Sequence, residues 1–264
     1  MEFERKDHYD MQDLLRIVQV LRAPGGCPWD QAQTHQSIRA NLIEETYEVA
    51  DAIDEQDAAL LCEELGDLLL QIVLHTQMEQ EAGTFTFADV CDGICKKLVY
   101  RHPHVFGSVQ VNSAAQVTQN WEVLKNAEKG RLTAADRLES VPISLPALMR
   151  TVKLQKRADD FGFGYPEAAI ALADLKSEVA ELEEALAKGE NIPHEIGDVL
   201  FSAANVARLT GQDAEEALTH CNSRFTARVK MVEQLAESKG HTLQELNPEQ
   251  RDILWKEAKQ KLQK

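Results

Sequence analysis

The sequence predicts an all-α protein made of two repeats of one helical unit, and four observations lead to this prediction. Apolar residues recur every three or four positions along most of the 264 residues, which is the spacing of one helix face. Glycine and proline number only 13 and 8, and long stretches contain neither, so few helices are interrupted. No segment shows the sustained period-two alternation of a half-buried strand, and a set of charged motifs recurs later in the chain.

The helices of the first half are bounded by breakers and capping residues. Residues 23–26 (APGG) end the first helix, and a compact turn over residues 27–30 follows. Thr34 or Ser37 is expected to cap the next helix, because hydroxyl oxygens accept hydrogen bonds from the free amides at a helix start. Five helices are expected in this half, at about residues 9–22, 58–81, 87–100 and 113–128, with one more that runs from the cap at Thr34 or Ser37 to about residue 54.

The second half is expected to follow a linker at residues 129–145, a mixed polar run that contains glycine and proline. This organisation gives an N-terminal helical domain at residues 1–128 and a C-terminal helical domain at residues 146–264. Pro146 is expected at the first position of a helix, where its missing amide is not needed. The first helix of this half is expected at about residues 146–160. Three more helices are expected to end near residues 188, 209 and 239, and a last one is expected to begin at residue 248.

Two pairs of carboxylates lie at helical spacing in the first half. Glu45 and Glu48 are three residues apart, as are Glu64 and Asp67, so each pair shares one helix face. Apolar residues border each pair, so the carboxylates should border or enter a buried face, where unpaired anions are costly. A hard divalent cation with oxygen ligands, Mg²⁺ first among them, removes that cost. The alternative is a solvated acidic helix face with lysine or arginine partners.

The same constellation recurs in the same order in the second half. Glu178 and Glu181 follow the first pair by 133 residues, and Glu195 and Asp198 follow the second pair by 131. Basic and aromatic pairs recur as well: Lys97–Arg101 and Trp121–Lys125 have the counterparts Arg224–Arg228 and Trp255–Lys259. A chance run of charges would not repeat in this way, so the repeat favours the metal site. Glu44 and Glu63 are replaced by Ser177 and His194 in the second half, which indicates an accessory or solvated role.

Composition excludes several classes of protein. The net charge of −16 repels a nucleic-acid backbone, and no dense basic patch is present. No run of about 20 apolar residues can span a membrane, and a cytoplasmic location is expected. The five cysteines lack zinc spacing and are interpreted as reduced thiols. His102 and His104 have no third ligand at a usual zinc spacing, and the Glu-x-x-His pairs of a di-iron site are missing.

These motifs together resemble the MazG family of the all-α nucleoside triphosphate pyrophosphatases. The resemblance covers nearly the full length of the chain. A lone EExxE motif would be weak evidence, but the combination of motifs is specific. It rests on GCPWD at residues 26–30, EExxE at 44–48 with ExxD at 64–67, RHPHVF at 101–106, SLPALMR at 144–150 and the second carboxylate set.

The resemblance implies an all-α tandem repeat of two four-helix MazG-type modules that dimerise, and Mg²⁺-dependent hydrolysis of nucleoside triphosphates to monophosphate and pyrophosphate. The Mg²⁺ ligands it implies are Glu45, Glu48, Glu64, Asp67, Glu178, Glu181, Glu195 and Asp198. The substrate-binding residues it implies are Arg224, Arg228, Trp255 and Lys259, with Lys97, Arg101 and Lys125 as first-half equivalents. Ser177 departs from the full motif, which puts a general-base role at that position in doubt.

The chemistry agrees with the residue types. Mg²⁺ bridges phosphate oxygens, and a carboxylate beside it orients the attacking water or takes its proton. Glu178, Glu181 and Glu48 are the candidates for this catalytic role. Arginine and lysine stabilise the spread negative charge when water attacks the α-phosphorus. Trp255 either stacks on the base or packs in the core.

Two functions remain open from the sequence. The first is the enzyme, expected as a homodimer because helices that are apolar on several sides need partners, although internal pairing of the two halves also satisfies them. The second is a non-catalytic regulatory module that holds metal or nucleotide without turnover. Within the enzyme hypothesis the second half is expected to carry most of the turnover, because Arg224 and Arg228 lie one turn apart and arginine suits bidentate phosphate contact.

Overall fold

The computed structural model describes residues 3–130 and 133–263, and all regular structure in these ranges is helical. The predicted all-α fold class is therefore confirmed. Within these ranges, no helix is long and apolar enough to cross a membrane. The helices are α1 (Met11–Arg22), α2 (Pro28–Ala32), α3 (Arg39–Glu55), α4 (Ala58–Ala82), α5 (Phe87–Arg101), α6 (Pro103–Phe106), α7 (Ala114–Glu128), α8 (Ala134–Glu139), α9 (Ala147–Asp159), α10 (Ala168–Lys188), α11 (Ile192–Leu209), α12 (Ala214–Ser238) and α13 (Pro248–Lys261).

The chain forms two compact units, of which the first ends at Lys125 and the second begins at Asn126. The helix α8 lies within the predicted linker and packs on α9, so this part of the stretch belongs to the second unit. Residues 131 and 132 of the predicted linker lie outside the described ranges, as do residues 1, 2 and 264 of the two predicted domains.

The first unit is centred on the antiparallel hairpin α3–α4, with α1 and α5 packed against α4. Gln56 adopts a left-handed backbone at φ 57°, which ends α3, and Asp57 then caps α4 by accepting hydrogen bonds from two of its first amides. Because this turn is tight, the two carboxylate-bearing helices run back along each other. The core of the unit lies on the α1 side of the hairpin and contains Val18, Ile38, Val73, Leu74 and Met78.

The second unit repeats this plan with the hairpin α10–α11, which α9 covers. The turn between the two helices uses Gly189 at φ 73° and Asn191 at φ 57°, and Pro193 lies in the first turn of α11. A second core forms where α12 packs on α13, with the buried residues Val232, Leu235, Ala236, Leu246, Leu254 and Ala258.

Three local predictions are wrong at helix starts. Neither Thr34 nor Ser37 caps α3, because the backbone amide of each donates to the hydroxyl of the other, and Ile38 occupies the cap position without a side-chain bond. Pro146 lies one residue before α9, with an extended ψ of 141°. The turn expected at residues 27–30 is instead the start of the short helix α2, with Pro28 as its first residue.

The apolar face beside the first carboxylates is exposed, against the expectation of a buried face. Tyr47 and Leu65 are each 50 % exposed, and Ile43 and Ile72 are also classed among the exposed apolar residues. The physical reason is that α1 covers the other side of the hairpin, where Val73 and Leu74 are buried. Periodicity identified the apolar residues of α3 and α4 correctly, but it does not show what covers them.

Candidate functional site

The first acidic cluster consists of Glu45 and Glu48 on α3 and Glu64 on α4. One carboxylate oxygen from each residue lies within 4.8 Å of the others, so the three side chains converge on one point. Asp67, one turn after Glu64, is outside this group of oxygens, but its charge acts on Glu45. The hairpin therefore brings three of the four predicted ligands together and places the fourth beside them.

The second acidic cluster has the same composition on the second hairpin. Glu178 and Glu181 on α10 and Glu195 on α11 each offer an oxygen within 4.8 Å of the others. Asp198 again lies outside the group, and its Oδ2 is 3.4 Å from His194 Nε2. The two repeats therefore also share the geometry of the cluster. In both, the aspartate of the predicted ligand set, Asp67 or Asp198, lies outside the three converging glutamates.

Burial and mutual repulsion raise the pKa of at least one carboxyl group in each cluster. Partial burial, then the charges of Asp67 and Glu48, raise the pKa of Glu45. Partial burial, then the charges of Glu181 and Asp174, raise the pKa of Glu178. A raised pKa means that the charged form is disfavoured unless a cation offsets it. Because every donor is a carboxylate oxygen, the donor set fits a hard divalent cation such as Mg²⁺.

Two further glutamates lie next to the ligands of the first cluster in the sequence but do not join it. Glu44 and Glu63 are exposed and lie outside the first cluster, as the interpretation of them as accessory residues requires.

Asp174 was missed by the sequence analysis, although it lies one turn before Glu178 on α10. Its carboxylate accepts hydrogen bonds from Tyr165 and Ser202. Its spacing of four residues from Glu178 could have identified it as a member of the same helix face. The first half has Asn41 at the equivalent position, so the comparison of the two repeats did not single it out.

Two of the three predicted basic residues of the first unit contact a tryptophan ring. The Arg101 guanidinium lies 5.2 Å from the ring centroid of Trp121, and the Lys125 ammonium lies 4.4 Å from it. Arg101 is 6 % exposed, whereas Lys97 is half-buried. These cation–π contacts stabilise the unit but also hold the Arg101 side chain away from solvent.

The second unit presents its basic residues more openly. The Arg228 guanidinium lies 5.7 Å from the Trp255 ring centroid, and Arg224 and Lys259 are exposed. Trp255 packs partly against the core of α12 and α13 and also contacts Phe225. Among the described residues, no ion pair links Arg224, Arg228 or Lys259 to the second acidic cluster.

A family model for the MazG nucleotide pyrophosphohydrolase domain matches the chain twice, at residues 33–106 and 168–233. The two matches contain the two acidic clusters. The chain belongs to the MazG family. The predicted family and tandem repeat are thereby confirmed, and the expectation of an enzyme agrees with the pyrophosphohydrolase family to which both matches belong.

Full-length relatives agree with this assignment. A MazG of Thermotoga maritima, named nucleoside triphosphate pyrophosphohydrolase/pyrophosphatase, is 39 % identical over 94 % of the chain and 95 % of its own length. The nucleoside triphosphate pyrophosphohydrolase of Escherichia coli K12 is 39 % identical over 93 % and 95 %. The uncharacterized protein YabN of Bacillus subtilis is 41 % identical over 97 % of the chain, which spans only 53 % of that relative.

The MazG matches divide the predicted site residues into two groups. All eight carboxylates and the pairs Lys97–Arg101 and Arg224–Arg228 lie inside the matched ranges. The pairs Trp121–Lys125 and Trp255–Lys259 lie outside them. The acidic clusters and these two basic pairs therefore belong to the MazG domain in both units, whereas the aromatic–basic pairs come from the helices that follow.

Proposed function

We propose that the chain hydrolyses nucleoside triphosphates, with ribose or deoxyribose, to the monophosphate and pyrophosphate, and that it uses Mg²⁺. The observation that carries this proposal is the pair of three-carboxylate clusters, each on one helical hairpin inside one MazG match. The relatives named nucleoside triphosphate pyrophosphohydrolase support the reaction class.

The residues that would hold Mg²⁺ are the two clusters with Asp67 and Asp198 at their edges. The bound ion would neutralise charge on the phosphate oxygens and lower the pKa of a nearby water. Glu181 and Glu48 are the exposed members of the clusters, and each has an oxygen free to orient that water. Glu178, whose pKa is raised, is the candidate for taking the proton of the water.

The reaction breaks the bond between the α-phosphorus and the oxygen that bridges to the β-phosphate. Water supplies the new oxygen on the α-phosphorus, its proton goes to the carboxylate, and pyrophosphate leaves with the bonding electron pair. Negative charge accumulates on the non-bridging oxygens, where the forked guanidinium groups of Arg224 and Arg228 and the Lys259 ammonium stabilise it. We assign most of the turnover to the second unit, because Arg224 and Lys259 are exposed there whereas Arg101 of the first unit is buried.

We also propose a homodimer in which the exposed apolar face of the hairpins is covered by a second copy. Tyr47 and Leu65 in the first unit and Leu200 in the second are half exposed beside the clusters. Apolar side chains exposed on one helical hairpin in this way are typical of an interface. A cytoplasmic location and the lack of a nucleic-acid partner stay predictions.

The deciding experiment is the release of pyrophosphate and monophosphate from the common ribo- and deoxyribonucleotides, with and without Mg²⁺. The enzyme gives equal amounts of both products only when Mg²⁺ is present. A non-catalytic regulatory module, the alternative function, binds nucleotide under the same conditions and releases neither product. Diphosphate with orthophosphate as the primary products would overturn the proposed site of attack.

A further inference from the structure

A hydrogen bond crosses each carboxylate-bearing hairpin one turn after the aspartate of the predicted ligand set, and its acceptor differs between the two units. In the first unit, Gln71 Nε2 on α4 donates to Glu45 Oε1 on α3 at 3.4 Å. In the second unit, the Ser202 hydroxyl on α11 donates to Asp174 Oδ2 on α10 at 2.9 Å. Gln71 and Ser202 are equivalent positions, 131 residues apart, and both residues are buried. The repeat therefore keeps the donor but changes the carboxylate that receives the bond.

Asp174 is the acceptor that the first unit lacks. It lies one turn before Glu178 on α10, and the first unit has the neutral Asn41 at the equivalent position, one turn before Glu45. The Tyr165 hydroxyl donates to Asp174 Oδ1 at 2.8 Å, so each carboxylate oxygen accepts a hydrogen bond. These two bonds hold the carboxylate in one orientation. The second unit therefore has a fixed negative charge at a position where the first unit has none.

Asp174 acts on the second acidic cluster without being one of its converging residues. Its oxygens lie outside the group formed by Glu178, Glu181 and Glu195. Its charge nevertheless acts on Glu178, the next predicted ligand along α10. Attraction between opposite charges extends beyond direct contact, and solvent screens it less where the groups are partly buried. A carboxylate held beside the ligands therefore favours a cation bound between them.

The bond between Ser202 and Asp174 also ties the two ligand-bearing helices together. Ser202 lies one turn after Asp198 on α11, and Asp174 lies one turn before Glu178 on α10. The bond thereby limits how far α10 and α11 shift along each other, and the separation of Glu178 from Glu195 depends on that shift. Loss of an outer residue that orients metal ligands typically weakens metal binding about 10- to 100-fold. Asp174 is therefore placed to affect the cluster through both its charge and its hydrogen bonds.

We propose that Asp174 is a positioning residue that raises the affinity of the second acidic cluster for a divalent cation. Ser202 and Tyr165 hold its carboxylate in place, and its charge acts beside Glu178. The inference rests on the proposed use of Mg²⁺ and adds a residue outside the four predicted ligands of the second unit. At the equivalent position of the first unit, Asn41 adds no charge, so this one position separates the cation affinities of the two clusters.

The first arm of the experiment measures the affinity of the second cluster alone for Mn²⁺, a cation that suits carboxylate ligands and whose free form is counted by electron paramagnetic resonance. The full-length chain carries Glu45→Gln and Glu48→Gln, which disable the first cluster. Adding Asp174→Asn removes the charge at nearly constant shape, and we expect Mn²⁺ binding to weaken about tenfold or more. Adding Ser202→Ala instead removes one hydrogen bond and keeps the charge, and we expect a smaller loss.

A charge control and a reciprocal arm complete the design. Glu167→Gln removes an exposed charge just before α10, and Mn²⁺ affinity should stay within about twofold, because solvent screens that charge. The second arm uses the chain with Glu178→Gln and Glu181→Gln, in which the first cluster is tested alone. Adding Asn41→Asp there should strengthen Mn²⁺ binding about threefold or more. Damage to the fold does not produce such a gain, so this arm separates the proposed role from a merely structural one.

A folded Asp174→Asn chain with unchanged Mn²⁺ affinity contradicts the inference, and so does an equal loss in Glu167→Gln, since net charge would then be the cause. If Asp174→Asn melts early, the Asn41→Asp arm decides, and the absence of a gain there rejects the inference. Mn²⁺ binding needs neither nucleotide nor turnover. A chain with the expected Mn²⁺ affinities that releases no pyrophosphate therefore refutes only the proposed function, whereas an active chain whose Mn²⁺ affinity does not respond to Asp174→Asn refutes only the inference.

Discussion

The imidazole rings of His35 and His75 stack in the first unit, with their Nδ1 atoms 2.7 Å apart and their planes inclined by only 4°. His35 Nε2 is 2.8 Å from the Glu79 carboxylate, to which it donates. One of the two Nδ1 atoms donates a hydrogen bond to the other, and the tautomers decide which one donates. His75 Nε2 is buried without a partner among the described residues. This arrangement links the segment before α3 to α4. It needs at least one neutral ring, because two protonated rings would bring two N–H groups face to face.

The stability of the first unit should therefore fall below neutral pH. Burial, then the charge of His35, lowers the pKa of His75 in the folded chain. The unfolded chain binds a proton more readily, so the stabilisation is present above the ordinary histidine pKa and is lost as pH falls through the folded value. Urea unfolding at pH 7.5 and 5.5 measures the loss. His75→Phe should show a smaller loss than the unaltered chain, whereas His8→Gln, at an exposed site, should not differ from it.

Mg²⁺ should stabilise the fold in proportion to its occupancy of the acidic clusters. A ligand at about 100 times its dissociation constant adds about 2.7 kcal/mol per site to the free energy of unfolding. The melting temperature should rise with Mg²⁺, and Glu178→Gln combined with Glu181→Gln should remove part of the rise. Glu183→Gln combined with Glu190→Gln is the charge-matched control at exposed positions. Equal Mg²⁺ responses in both double variants, or turnover that survives thorough chelation, would falsify the metal assignment.

The two clusters should contribute unequally to turnover. The variant Glu178→Gln with Glu181→Gln should lose about 100-fold or more in kcat, because it removes candidate metal ligands from the unit in which Arg224 is exposed. The variant Glu45→Gln with Glu48→Gln should keep most of its activity, because Arg101 in that unit is buried against Trp121. Circular dichroism and melting curves check that both variants fold. The reverse result assigns catalysis to the first unit, and equal losses mean that the accessibility of the arginines does not matter.

The homodimer should depend on the apolar face beside the clusters. Light scattering at micromolar concentration should give about 59 kDa, twice the chain mass of 29.6 kDa. Leu65→Lys places a charge in the covered face and should weaken association about 100-fold or more, which gives monomers. Ile143→Lys is the control, since that side chain is 85 % exposed and outside the hairpins. A monomer in the unaltered chain supports internal pairing of the halves instead.

The sequence predicted the helices and the convergence of the clusters, because both depend on short-range periodicity. Glu45 and Glu48 must share a helix face at their spacing, and the repeat showed that the second pair belongs with the first. Ile38 as the cap of α3 was not predictable, since Thr34 and Ser37 satisfy each other rather than the helix. Asp174 was missed because the first half has Asn41 at the equivalent position, and only tertiary packing shows its contacts with Tyr165 and Ser202.

The tight turns at Gln56 and Asn191 have a consequence for the evolution of the chain. Each turn keeps a cluster within one hairpin, so a single duplicated gene segment carries a whole ligand set to its new place. Neither copy needs the other to assemble its carboxylates. Selection can therefore maintain chemistry in one copy while the other accumulates changes. The differences between Glu44 and Ser177 and between Asn41 and Asp174 are two such divergences.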